Sequence, residues 1–181
     1  MRRRLFLLFI ALHALVLVGW VVSLEWAVAR GATIRVAVAQ RDPRDLLRGD
    51  YVWLQFAFSE IPPSAFAAPA RPNAGDRVWV ALAPHEGVWE LTGASLTREA
   101  LPLTPGARIL VGRVDYPLVQ VPEPTGGRPQ AVHVVYGIER YYVPEGKGTP
   151  PRGQKLEAEL ALTADGRPFL RRLFVDGRPY P

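Results

Sequence analysis

Three carboxylates and a cluster of tyrosines and arginines are the residues whose types and spacing could do chemistry. Asp50 stands in Arg48-Gly49-Asp50-Tyr51, and Glu139 and Glu145 stand in Tyr136-Gly137-Ile138-Glu139-Arg140-Tyr141-Tyr142-Val143-Pro144-Glu145. Asp50 with either glutamate could supply the two carboxyl groups that glycan hydrolysis needs on opposite sides of the scissile bond. With Arg48, Tyr51, Tyr136, Arg140 and Tyr141 the same acids could instead line a polar groove for a peptide or glycan. A third reading is structural, a buried network of ion pairs and tyrosines that fixes strand register. Adjacent Glu139 and Arg140 point to opposite faces of an extended chain, so they cannot pair with each other there, although Asp50 and Arg48 could meet them across a ladder. The structural reading is preferred, because charged networks inside β proteins commonly serve packing and specificity.

Other catalytic constellations are thin. None of Ser23, Ser59, Ser64 and Ser95 sits in a Gly-x-Ser-x-Gly elbow. Ser64 with Lys147 or Lys155 could imitate a Ser-Lys dyad, but no motif surrounds either residue. His85 and Glu86 lack third and fourth metal ligands and read as a solvated turn. The chain has no cysteine, which excludes disulfides, zinc-cysteine sites and thiol catalysis. Phosphate-cradling glycine loops and His-rich metal spacings are absent as well, so neither a cofactor nor a metal is expected.

The acids must be positioned by a stretch that begins at Asp42. Asp42 can cap a helix, Pro43 suits its first position and Gly49 its left-handed end, which predicts one helical turn over Pro43 to Arg48. From Tyr51 the pattern alternates. Val52, Leu54, Phe56 and Phe58 take one face and Tyr51, Trp53, Gln55, Ala57 and Ser59 the other, a strand with a core-facing side that Pro62-Pro63 stops.

Gly49-Asp50-Tyr51, then Leu54 and an aromatic at Phe56, resembles the motif that names the GDYXXLXY family of bacterial membrane-anchored proteins. Phe56 stands where the family name has its last Tyr, so the ring there is expected to pack rather than catalyse. Asp42 to Leu46 and Tyr136 to Gly148 also resemble that family. The resemblance implies an extracytoplasmic domain of unassigned biochemical activity, and relatives of this kind resemble accessories of multi-pass membrane proteins.

The anchor is legible independently. Arg2-Arg3-Arg4 precedes Leu5 to Leu24, twenty residues in which only His13 and Ser23 are polar. About twenty apolar residues match a hydrocarbon layer of roughly 30 Å. This predicts one transmembrane helix with Trp20 and Trp26 near its far interface, the lipid bilayer being the first expected partner. The competing reading is a signal peptide cleaved after Ala27-Val28-Ala29, although the apolar run exceeds the usual signal length. His13 reads as a tolerated bystander. Cations after the helix leave little asymmetry, but long domains translocate regardless of charge, which places the residues beyond Ala29 outside the cytoplasm, on the inner membrane. The net charge is +5. So mild an excess, spread along many loops, does not indicate nucleic acid and weakly favours an anionic membrane surface.

The remaining chain reads as strands: Ile34 to Ala39, the pair Val78 to Ala83 and Val88 to Leu96 around Pro84-His85-Glu86-Gly87, Ala107 to Tyr116, Gln130 to Tyr136, and a hairpin of Lys155 to Leu162 with Pro168 to Val175. Pro63 to Asn73 and Pro117 to Arg128 read as long loops. The expected fold is an all-β antiparallel barrel or sandwich of about eight strands, residues 30–181, after an anchor over residues 1–29. The function this supports best is a non-enzymatic binding or accessory module for a membrane protein or envelope component. The alternative is a membrane-proximal hydrolase of peptide or glycan using Asp50, Glu139 or Glu145.

Overall fold

The structure, a computed structural model, describes residues 2–41, 51–67, 71–120, 130–143 and 153–180. It opens with a helix, α1 (Arg2–Arg30), whose apolar side chains, among them Phe6, Leu15, Trp20 and Val22, are exposed on every side. Apolar all round and left unburied by the other described residues, this helix is long and apolar enough to cross a membrane. The two polar side chains of the run Leu5 to Leu24 find partners within the helix: His13 Nδ1 lies 2.9 Å from the Phe9 carbonyl, and the Ser23 hydroxyl donates to the Trp20 carbonyl at 2.7 Å.

Eleven strands follow among the described residues: β1 (Ala32–Arg41), β2 (Tyr51–Phe56), β3 (Glu60–Ile61), β4 (Arg77–His85), β5 (Val88–Ser95), β6 (Arg108–Gln120), β7 (Gln130–Val135), β8 (Arg140–Tyr142), β9 (Leu156–Leu162), β10 (Pro168–Val175) and β11 (Arg178–Tyr180). They form two antiparallel sheets, in the orders β11-β10-β9-β1-β2-β8 and β3-β7-β6-β4-β5. Alternation buries Ile34, Val36, Val52, Leu54, Leu160 and Leu173 from the first sheet against Val78, Val80, Leu82, Leu110, Val114 and Val134 from the second. The fold is therefore the expected all-β one, with three short strands, β3, β8 and β11, beyond the eight.

Several boundaries differ from those expected. Pro117 does not end β6, which runs on to Gln120. Register shifts on both sides of Tyr116 supply bulges, where a residue without an N–H is tolerated. The β4–β5 connection is a two-residue turn, because Glu86 and Gly87 both take positive φ (46° and 88°) and let Pro84 and His85 pair with Trp89 and Val88. After Pro62 a short 3-10 turn, Pro63–Ala65, leads to Phe66, which is buried and bridges Ala94.

The helix is fastened to the first sheet. Between β9 and β10 the register shifts so that Arg171 is the extra residue between Leu170 and Arg172. A bulge re-aims its side chain. The Arg171 guanidinium donates to the Val28 carbonyl at 2.8 Å and lies 3.3 Å from the Thr33 hydroxyl. It thus adds a second donor to a carbonyl at the negative end of α1 that also accepts the Gly31 N–H at 3.2 Å. At Gly31 a Cβ would stand 2.7 Å from the Leu162 carbonyl oxygen, so the junction requires glycine.

Candidate functional site

The strand that carries the sequence motif changes sheets at its end. β2 stops at Phe56, a 3-10 turn over Ala57–Ser59 follows, and β3 then pairs with β7 in the other sheet. The strand is shorter than the alternation suggests, yet Phe58 still points inward and is 1% exposed. Its ring stacks on Phe56 (centroids 5.2 Å apart) and meets Tyr136 edge-on at 5.1 Å. The Tyr136 hydroxyl donates to the Phe58 carbonyl at 2.8 Å, satisfying a backbone acceptor at the corner where no ladder can. Room for that ring comes from Gly112, where a Cβ would lie 2.8 Å from Tyr136 Cε1 and 2.5 Å from Val134 Cγ1. The Gln55 amide spans the corner on its outer side and donates to Glu60 at 2.6 Å.

The two segments singled out from the sequence do meet. Tyr51, Val52 and Trp53 pair with Tyr142, Tyr141 and Arg140, and the Leu54 N–H donates to the Glu139 carbonyl at 2.7 Å. The partner of Arg140 across this ladder is aromatic: its guanidinium lies 5.3 Å from the Trp53 ring centroid. The Glu139 carboxylate turns back to accept the Tyr136 N–H. Gly137, at φ 79°, makes the turn that lets it do so. The Tyr141 hydroxyl donates to the Tyr180 carbonyl at 3.4 Å, tying β8 to the end of the chain.

Electrostatics follow packing. Burial pushes the Tyr136 phenol well above its ordinary range, and the nearby Glu139 charge pushes it further, so the hydroxyl remains a donor. Burial also raises the Tyr141 phenol, against the opposing pull of Arg172.

Of the sequence-predicted residues, Tyr136, Glu139, Arg140 and Tyr141 thus gather along the motif strand, and Tyr51 joins them by its backbone pairing. Arg48, Asp50 and Glu145 lie outside the described residues, as do the helical turn at 43–48 and Lys147. Lys155 ion-pairs with Glu157 at 2.8 Å. His85 and Glu86 are exposed at their hairpin tip, and no group of three potential metal ligands occurs among the described residues.

A family model described as GDYXXLXY protein matches residues 13–173. The chain belongs to the GDYXXLXY family. No curated protein and no solved structure matches it. In this GDYXXLXY protein the matched span runs from within α1 to within β10 and includes the β2–β8 ladder.

Sequence reasoning missed Trp53 as the seat of Arg140 and Arg171 as the fastener of α1. It also misjudged the arginines, which do not simply scatter along loops. Arg77, Arg98, Arg113 and Arg167 line one hollow of about 640 Å³ on the outer face of the second sheet, floored by Trp79, Val111 and Val135. The outward alternation of Arg77 with Trp79 and of Arg113 with Val111 was a readable signal. Their convergence was not, because it depends on the cross-strand register that sets Arg77 opposite Arg113.

Proposed function

We propose that this GDYXXLXY protein is a non-enzymatic, membrane-anchored binding module, with residues 1–29 as anchor and residues 30–181 as a domain outside the cytoplasm. One observation carries the reading: among the described residues, Tyr136, Glu139 and Arg140 of the motif ladder are engaged by other parts of the fold. Tyr136 serves the Phe58 carbonyl, Glu139 serves the Tyr136 N–H and Arg140 rests on Trp53. A carboxylate held by a backbone donor beside a turn is built to hold register rather than to exchange protons with a substrate. The partner best suited to a domain fastened this closely to its helix is a multi-pass membrane protein or envelope component at the same bilayer.

Cross-linking in intact cells, with recovery of the full-length chain from membranes and mass spectrometry, should yield a membrane protein in stoichiometric amount. A reporter fused after Pro181 should be active outside the cytoplasm only. The reading fails if Asp50→Asn or Glu145→Gln leaves the melting temperature unchanged while abolishing hydrolysis of an envelope peptide or glycan.

A further inference from the structure

The arginine-lined hollow on the second sheet continues toward the helix. A second hollow, about 290 Å³, shares Arg98 and Asp165 with the first and is lined by Arg30 at the end of α1 and by Arg108. Together the two hold six arginines against Glu99 and Asp165, a local excess of four positive charges in a chain whose total is +5. Some of these cations have work in the fold. Arg167 is 3.1 Å from Asp165, Arg113 donates to the Gly75 carbonyl at 3.1 Å, and Arg30 lies over the Trp26 ring at 3.6 Å. Among the described residues the Arg98 and Arg108 guanidiniums carry no hydrogen bond or ion pair, and both are exposed, Arg98 on the lining of both hollows and Arg108 on that of the second.

Position relative to the helix decides what such a site would meet. Arg30 follows the last residue of the apolar run, Leu24, by six positions, about 9 Å of helical rise. The headgroup layer beyond the hydrocarbon is of similar depth, roughly 5–8 Å on each side. Because Arg171 and Gly31 clamp α1 against β9, Arg30 and the Asp165–Gly166 turn are held together at that level rather than swinging independently. Guanidinium forks match phosphate oxygens in geometry as well as charge, and a Trp floor is at home in the interface.

The geometry points to a binding site for the phosphate of anionic phospholipid headgroups in the groove of Arg30, Arg98 and Arg108, continuing outward along Arg77, Arg113 and Arg167. It would draw anionic lipid around the emerging helix and fix the tilt of the sheets over the bilayer. The inference rests on α1 being embedded in lipid, as the proposed function has it.

The test uses the full-length protein. Flotation with vesicles of phosphatidylcholine alone tests the anchor, and failure there would remove the membrane reading itself. Native mass spectrometry from detergent carrying equal phosphatidylglycerol and phosphatidylcholine then tests the groove. Wild type should retain phosphatidylglycerol preferentially. The double variant Arg98→Gln/Arg108→Gln should weaken that preference by roughly thirty-fold, on the scale of one kilocalorie per arginine near an anionic surface. Arg178→Gln, on β11 and outside both hollows, should leave it unchanged, whereas Glu99→Gln should raise it. Flotation without lipid preference, equal loss in Arg178→Gln, or a folded Glu99→Gln variant with no gain would each overturn the proposal. Displacement of the lipid by millimolar inorganic phosphate would do so too, by assigning the groove to a soluble ligand.

Discussion

Replacing Tyr136 with Phe separates the structural account of the motif ladder from any chemical one. The ring is 8% exposed, and Phe preserves its edge-on contact with Phe58 and its fit over Gly112. What disappears is the 2.8 Å hydrogen bond to the Phe58 carbonyl, at a corner where the chain leaves one sheet for the other. A buried acceptor left without its donor costs about 1–3 kcal/mol. For a protein of this size each kilocalorie corresponds to roughly 2–4 °C, so the melting temperature should fall by about 2–12 °C. The phenol also gives the loss a pH signature. Its folded-state ionisation is raised above the ordinary value, so the unfolded chain gives up this proton first. The contribution is therefore complete below about pH 10 and is lost as pH rises through the unfolded value toward the folded one. The gap between wild type and Tyr136→Phe should narrow above about pH 10, while the other tyrosines cancel in the comparison. Thermal unfolding of the detergent-solubilised chain, followed by tryptophan fluorescence from pH 7 to 11, measures both. A melting temperature within a degree of wild type at pH 7, or a gap that does not change with pH, would refute the corner role.

Two further outcomes follow from the same packing. Leu54→Ala and Phe56→Ala, each emptying a fully buried position, should cost about 2–5 kcal/mol in urea unfolding, against less than about 1 for Gln55→Ala, whose amide loses only the half-buried bond to Glu60. Equal losses on both faces would mean that β2 is covered on both sides. Arg171→Gln removes the cation at the end of α1, an effect on the order of 0.5–1 kcal/mol, so tryptic cleavage after Arg30 should quicken about two- to five-fold; an unchanged rate would show that the bulge does not hold the helix.

The apolar length of α1, the alternation of Val52, Leu54 and Phe56, and the turn chemistry of Asp165-Gly166 are local patterns, and period and composition alone determined them. The all-β class follows, because period-two patterns without a long amphipathic helix leave few other architectures. Two boundaries escaped this reasoning for physical reasons. Pro117 normally ends a strand, but bulges in β6 accommodate it, and a bulge depends on the partner strand's register. The corner after Phe56 continues the same apolar spacing through Phe58, so alternation could not reveal that the backbone had turned into a 3-10 helix and changed sheets.

For the site, the sequence singled out two segments, residues 48–56 and 136–148, but not what their polar groups touch. Arg140 could have faced an acid or an aromatic ring, and only the pairing of Trp53 with Arg140 put the indole there. The sequence did not tell what the Glu139 carboxylate faces, and only the turn at Gly137 brought the Tyr136 N–H to it. The arginine tract is the extreme case. Arg30, Arg77, Arg98, Arg108, Arg113 and Arg167 are distributed over more than a hundred positions of the chain, and the order of the sheets and the clamp on α1 make them neighbours. Charge counts are additive along a sequence, whereas a field depends on distance, and distances between strands are set only when the chain folds.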